Sequence, residues 1–136
     1  MSRSEAVIGQ IKDYHIHVYF DADTKSKAEM LREKLEAAFP DAVYGRWHEK
    51  PVGPHPEWSY QVHFPKEMFG SIVPFTAIER DGLTVLVHPN TGDDMADHRD
   101  YAMWLGASPA LNLEIFDKAE TKTGRLSKAG TPSGRT

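Results

Sequence analysis

Apolar and polar residues alternate most clearly in Tyr14-His15-Ile16-His17-Val18-Tyr19-Phe20. A period of two puts Ile16, Val18 and Phe20 on one face of a strand and His15, His17 and Tyr19 on the other. The period then changes. From Thr24 to Phe39, Ala28, Leu31, Leu35 and Ala38 fall at helical spacing, with a capping-box pattern at Ser26 and Glu29 and a stop at Pro40. The span 42–48 reads as a second strand. The proline- and glycine-rich stretch Pro51-Val52-Gly53-Pro54-His55-Pro56 has to be a loop.

Alternation returns at Trp58-Ser59-Tyr60-Gln61-Val62-His63-Phe64, with Trp58, Tyr60, Val62 and Phe64 on one side and His63 on the other. Met68, Ile72, Phe75 and Ile78 predict a second helix, interrupted near Pro74. Asp81-Gly82 turns the chain into a fourth strand, 83–88. A third helix is expected over 94–105 with Gly106 as its stop, lined on one side by His98, Tyr101, Ala102 and Leu105, and a short strand over 111–116. The order β-α-β-β-α-β with an added C-terminal helix and short strand predicts an α+β ferredoxin-like sandwich. Residues 1–116 are expected to form a single domain. Residues 117–136, poor in apolar anchors, are expected to form a mobile tail.

That topology gives the histidines a meeting place. The usual strand order is 4-1-3-2, so the start of the first strand lies beside the ends of the third and fourth. His15 and His17 begin the first, His63 ends the third and His88 ends the fourth. If the apolar faces cover the helices, these four imidazoles emerge together on the opposite face, provided the register holds. Neutral imidazole is a good ligand for first-row metals, and strands hold ligands more accurately than loops. Two histidines with a carboxylate is a common non-haem iron set, for which Asp93, Asp94 and Asp97 are the available acids; a set of three histidines is equally admissible.

Composition narrows the chemistry further. The 136-residue chain has no cysteine among its residues, which excludes thiolate metal sites, iron–sulfur clusters, disulfides and thiol nucleophiles. A formal net charge of −4 argues against a nucleic-acid surface. There is no membrane-length apolar run and no signal-peptide-like apolar stretch near the N-terminus, so the expected compartment is the cytoplasm, with no membrane partner.

His15-x-His17-x-Tyr19, Gly53-Pro54-His55-Pro56, His88-Pro89-x-Thr91-Gly92-Asp93, and Asp97-His98 followed by Ala102-x-Trp104-Leu105-Gly106 together resemble the DOPA 4,5-dioxygenase family, over roughly residues 14–116. The resemblance implies extradiol opening of DOPA or a related catechol by dioxygen. Fe(II) is the expected metal, with Zn or another divalent ion possible in protein as purified. On this basis His15, His17 and His88 are the preferred metal ligands. His55, His98 and Tyr19 are the candidates for proton transfer or substrate contact, and the loop bearing His55 can serve as a lid.

Blander roles stand beside these. Any of the histidines can simply occupy a solvated strand face or cap an element, and His48 reads as a surface residue. Trp47 and Trp104 read as packing anchors, and Arg46 and Arg99 as solvated side chains before carboxylate clamps. A homodimer is expected, because the histidine face needs a cover. Two other functions are left open: a cofactor-free monooxygenase on a similar dimeric fold, and a non-catalytic metal- or ligand-binding module.

Overall fold

Strand β1 (Asp13–Phe20) is the axis of the molecule, and its neighbours follow from its alternation. In the computed structural model, residues 1–117 are described. The predicted tail, apart from Asp117, lies outside the described residues. Strand β1 pairs antiparallel with β3 (Trp58–Pro65) on one side and β4 (Val85–Asn90) on the other. The short β2 (Val43–Tyr44) adds beyond β3 and β5 (Met103–Leu105) beyond β4. The order β2-β3-β1-β4-β5 is the expected ferredoxin-like arrangement with one extra edge strand.

Register settles which side chains share a face. Ile16 lies opposite Val62 and Val87, and Val18 opposite Tyr60 and Val85; all six are 0% exposed. On this face pack helices α2 (Lys25–Ala38) and α3 (Phe69–Glu79), through Ala28, Leu31 and Leu35 of the first and Ile72 of the second. Spacings of three and four put the α2 residues on one stripe. Trp47 closes the end of this core against Phe20 and Tyr60, at ring-centroid distances of 4.2 and 5.4 Å, the anchoring role expected of it.

Several expectations need correction. Helix α2 starts after Thr24, whose hydroxyl is tied to Asp21, so Ser26 and Glu29 lie inside the helix and form no capping box. Helix α3 runs unbroken through Pro74: the only acceptor deprived of its partner is the carbonyl of exposed Gly70, which water can satisfy. A 3₁₀ turn at Lys66–Met68 precedes it. The expected strand over 42–48 shrinks to β2 and one isolated bridge between His48 and Ser59. A capped N-terminal helix α1 (Arg3–Ile8), which buries none of its residues, was not foreseen.

The added helix and strand are both present, but not where the periodicity put them. Helix α4 covers only Asp94–His98, because the N–H groups of Arg99 and Tyr101 both return to the carbonyl of Ala96 and close the turn. Met103–Leu105 then pairs with the open edge of β4, and Gly106, at φ 87°, ends that strand rather than a helix. The expected strand over 111–116 is replaced by a turn and the start of a helix, with Phe116 fully buried. That segment lies over the second face of the sheet, joined to the proline loop by a hydrogen bond from the Asn112 N–H to the Pro54 carbonyl, 2.9 Å. The histidine face is thus covered by the chain's own loop, α4 and Phe116. His15 and His63, at the other end of that face, stay partly exposed. No helix among the described residues is long and apolar enough to cross a membrane.

Candidate metal centre

The polar side of β1 carries His15, His17 and Tyr19, and the register fixes what they meet. His15 lies opposite His63 on β3 and His88 on β4, and His17 lies one pleat further along. One ring nitrogen each from His15, His17 and His88 forms a group whose members lie within 4.8 Å of one another. Two more imidazoles enter from the cover. His55, from the proline loop, has its ring centroid 4.3 Å from that of His17, and His98, at the end of α4, lies 4.0 Å from His88. All the preferred ligands and all three proton-transfer candidates therefore belong to one cluster, most of it inaccessible: His17, His55, His88, His98 and Tyr19 are between 0% and 3% exposed.

Hydrogen bonds decide which nitrogens bear lone pairs. His88 Nδ1 is 2.9 Å from the Pro89 carbonyl, which can only accept, so Nδ1 carries the proton and Nε2 the lone pair. His98 is fixed the same way by the Asp94 carbonyl, 2.8 Å from its Nδ1. His63 Nε2 is 3.0 Å from Asp13 Oδ2, and His63 Nδ1 is 3.1 Å from His15 Nε2. The Tyr19 hydroxyl is 2.6 Å from His55 Nδ1. After these pairings, among the described residues, two buried side-chain nitrogens stay without a partner: His15 Nδ1 and His55 Nε2.

These features test whether a metal fits. His17 Nε2 and His88 Nε2 are 3.1 Å apart. Two nitrogens bound side by side at about 2.1 Å from one ion sit about 3 Å apart. Because His88 Nε2 bears a lone pair, only a proton on His17 or a cation near both nitrogens reconciles them. An unpartnered buried acceptor ordinarily costs about 1–3 kcal/mol, and His15 Nδ1 is such an atom in the same cluster. The donor set fits a first-row divalent ion.

The electrostatics agree with neutral rings. Burial, then the neighbouring imidazoles, hold His17 well below the usual histidine value. Burial and then His98 do the same to His88, against the opposing Pro89 bond. His15 is pulled down to about 4 by burial and then His63, with Asp13 acting the other way. His55 is pulled down to about 3, again by burial first and then by His88. Burial raises the Tyr19 phenol, so it keeps its proton. Neutral imidazole is the form that ligates metal.

The group contains no carboxylate among the described residues. Asp97 is committed to the N–H and hydroxyl of Thr91, at 2.9 and 2.6 Å, and the Asp93 side chain accepts from the Ala96 N–H. Asp93 thereby caps α4, and Asp97 clamps it to the end of β4 beside His88. The other sequence candidates lie elsewhere. Arg99 pairs with Asp100 at the surface, Arg46 is exposed, and Trp104 packs edge-on against Tyr19 at 5.9 Å. Sequence reasoning passed over Asp13 and gave His63 little weight, although both share the parity of His15 and His17 on paired strands.

Residues 14–115 match the Dopa 4,5-dioxygenase family. A DOPA 4,5-dioxygenase of Amanita muscaria is 33% identical over 112 residues, covering 76% of this chain and 49% of that protein. An uncharacterized 21.2 kDa protein of Botryotinia fuckeliana is 34% identical over 116 residues, covering 77% of this chain and 63% of its own. The chain thus spans about half the length of the first of these relatives and under two thirds of the second. A crystal structure of a candidate dioxygenase from Nostoc punctiforme superposes with a TM-score of 0.80 at 46% identity, covering 82% of this chain and 96% of that one.

Proposed function

The chain belongs to the Dopa 4,5-dioxygenase family, and we propose that it opens the ring of a catechol by extradiol cleavage, with His15, His17 and His88 holding iron(II). The observation that carries this reading is the set of three imidazoles from two adjacent strands, each offering a nitrogen within 4.8 Å of the others, beside the buried His15 Nδ1 that has no partner among the described residues. Bound iron(II) would template the diol and dioxygen side by side and pass electron density between them. Both oxygen atoms of dioxygen end in the ring-opened semialdehyde.

The chain's own residues supply proton chemistry around that event. His98 and His55 flank the triad with different proton placements. With Nδ1–H committed to the Asp94 carbonyl, His98 presents a basic Nε2, suited to taking a catechol proton. A phenol is a better donor than acceptor, so Tyr19 donates to His55 Nδ1 and leaves the proton on His55 Nε2. That N–H, buried and without a partner among the described residues, suits donation of a hydrogen bond to a developing oxyanion. In the other tautomer of His55 the proton sits on Nδ1 and is donated to the Tyr19 oxygen, which makes Nε2 an acceptor instead. The cover excludes water, and substrate entry requires displacing it.

The test is anaerobic loading of the full chain with iron(II), followed by oxygen uptake on a panel of catechols. Uptake of one dioxygen per catechol, with a yellow product heavier by both oxygen atoms, is the expected result. The sealing of His17 and His88, at 2% and 0% exposure, favours one other reading: a metal-binding module without turnover. Stoichiometric metal binding with no oxygen uptake on any catechol would select it.

A further inference from the structure

Outside the triad, one chain of contacts runs from a proposed ligand toward the surface. Asp13 Oδ1 accepts from the Asn90 amide at 2.7 Å, and the two residues are register partners across β1 and β4. Asp13 Oδ2 faces His63 Nε2 at 3.0 Å, and His63 Nδ1 faces His15 Nε2 at 3.1 Å. A carboxylate only accepts, so His63 carries its proton on Nε2 and offers a lone pair at Nδ1. That lone pair requires the proton of His15 on Nε2. The remaining nitrogen, His15 Nδ1, is the buried one without a partner.

We propose that Asp13 and His63 are positioning residues that set the tautomer of His15, so that its Nδ1 lone pair faces the metal. The inference rests on the reading of His15 as a ligand. Metal-bound histidines commonly give their second N–H to such a partner, and loss of it typically lowers metal affinity about 10–100-fold. Here the partner is itself a histidine, anchored by a carboxylate. Both are partly exposed and lie outside the apolar core: the His63 and Asp13 side chains are 40% and 29% exposed. Their replacement therefore leaves the core of the sheet intact.

The experiment uses the full-length chain, with zinc as a diamagnetic probe in competition with a chromophoric chelator. Asp13→Asn and His63→Leu are each expected to weaken zinc binding about 10–100-fold. His63→Gln, whose carbonyl can accept from His15 while its amide donates to Asp13, is expected to retain more affinity than His63→Leu. Nitrogen-15 NMR of the metal-free protein should show His15 with its proton on Nε2, and a mixture of tautomers in Asp13→Asn. A merely structural role would not move that signature. Wild-type zinc affinity in both Asp13→Asn and His63→Leu, while His15→Ala loses zinc, overturns the proposal; so does a wild-type His15 protonated on Nδ1. If the wild-type chain binds no zinc or iron at all, the metal reading fails instead, and the tautomer measurement still decides the relay.

Discussion

The two faces of strand β1 are almost equally buried and chemically opposite. Ile16 and Val18 are 0% exposed on one side, and His17 and Tyr19 are 2% exposed on the other, alternating along the same backbone. The apolar face gains roughly 25 cal/mol for each Å² it removes from water. The imidazole face gains little from burial, and its polar atoms cost free energy wherever they lack a partner. Burial alone therefore does not separate what holds the fold from what performs chemistry. The residues that the fold does not need, and still encloses, mark the site.

This contrast is open to attack from both sides. The largest effect is expected on the imidazole face: His17→Ala or His88→Ala should weaken metal binding by more than about 100-fold, beyond the loss typical of an indirect partner. Equilibrium dialysis against iron(II) under anaerobic conditions measures this, and the metal-free variants should keep a wild-type far-ultraviolet circular dichroism spectrum. On the opposite face, Ile16→Ala should cost about 2–5 kcal/mol of stability. Urea unfolding reads that loss, and the surviving folded fraction should still bind metal. The two losses should not trade places.

Acid is expected to act next in size. With folded-state values near 4 for His15 and near 3 for His55, below the 6.5 of a free imidazole, the unfolded chain binds more protons in that interval. The metal-free protein should therefore lose stability as pH falls below about 6.5, at roughly 1.4 kcal/mol per pH unit for each such histidine at most. The loss continues until the folded rings protonate. Urea midpoints at pH 7 and pH 5 test the sign, and His17→Leu should flatten the difference. Smallest is Tyr19→Phe, which leaves His55 Nδ1 without its 2.6 Å partner and should cost about 1–3 kcal/mol. Thermal melts measure it, and a larger fall in turnover than in metal affinity is expected.

Much of this contrast was legible in the sequence, because a period of two over seven residues assigns each side chain of β1 to a face. The strand order and the convergence of His15, His17, His63 and His88 followed from that parity and from the β-α-β-β-α-β order. What was not legible was decided by tertiary pairing. Met103–Leu105 is too short to display alternation and becomes a strand only because β4 offers it an open edge. Helical spacing across 94–105 was real but was ended after His98 by bonds back to Ala96. Phe116 looked like strand core and instead buries itself against His98, with centroids 4.7 Å apart. The cover over the histidines was foreseen only as the His55 loop. Asp13 was passed over because it lies just before the alternating run that begins at Tyr14.

The most direct measurement is anomalous diffraction at the iron edge from crystals loaded anaerobically with iron(II). One peak is expected, within about 2.0–2.2 Å of a ring nitrogen of each of His15, His17 and His88. A peak bound elsewhere, or a loaded crystal in which those three rings surround no iron, would contradict the account.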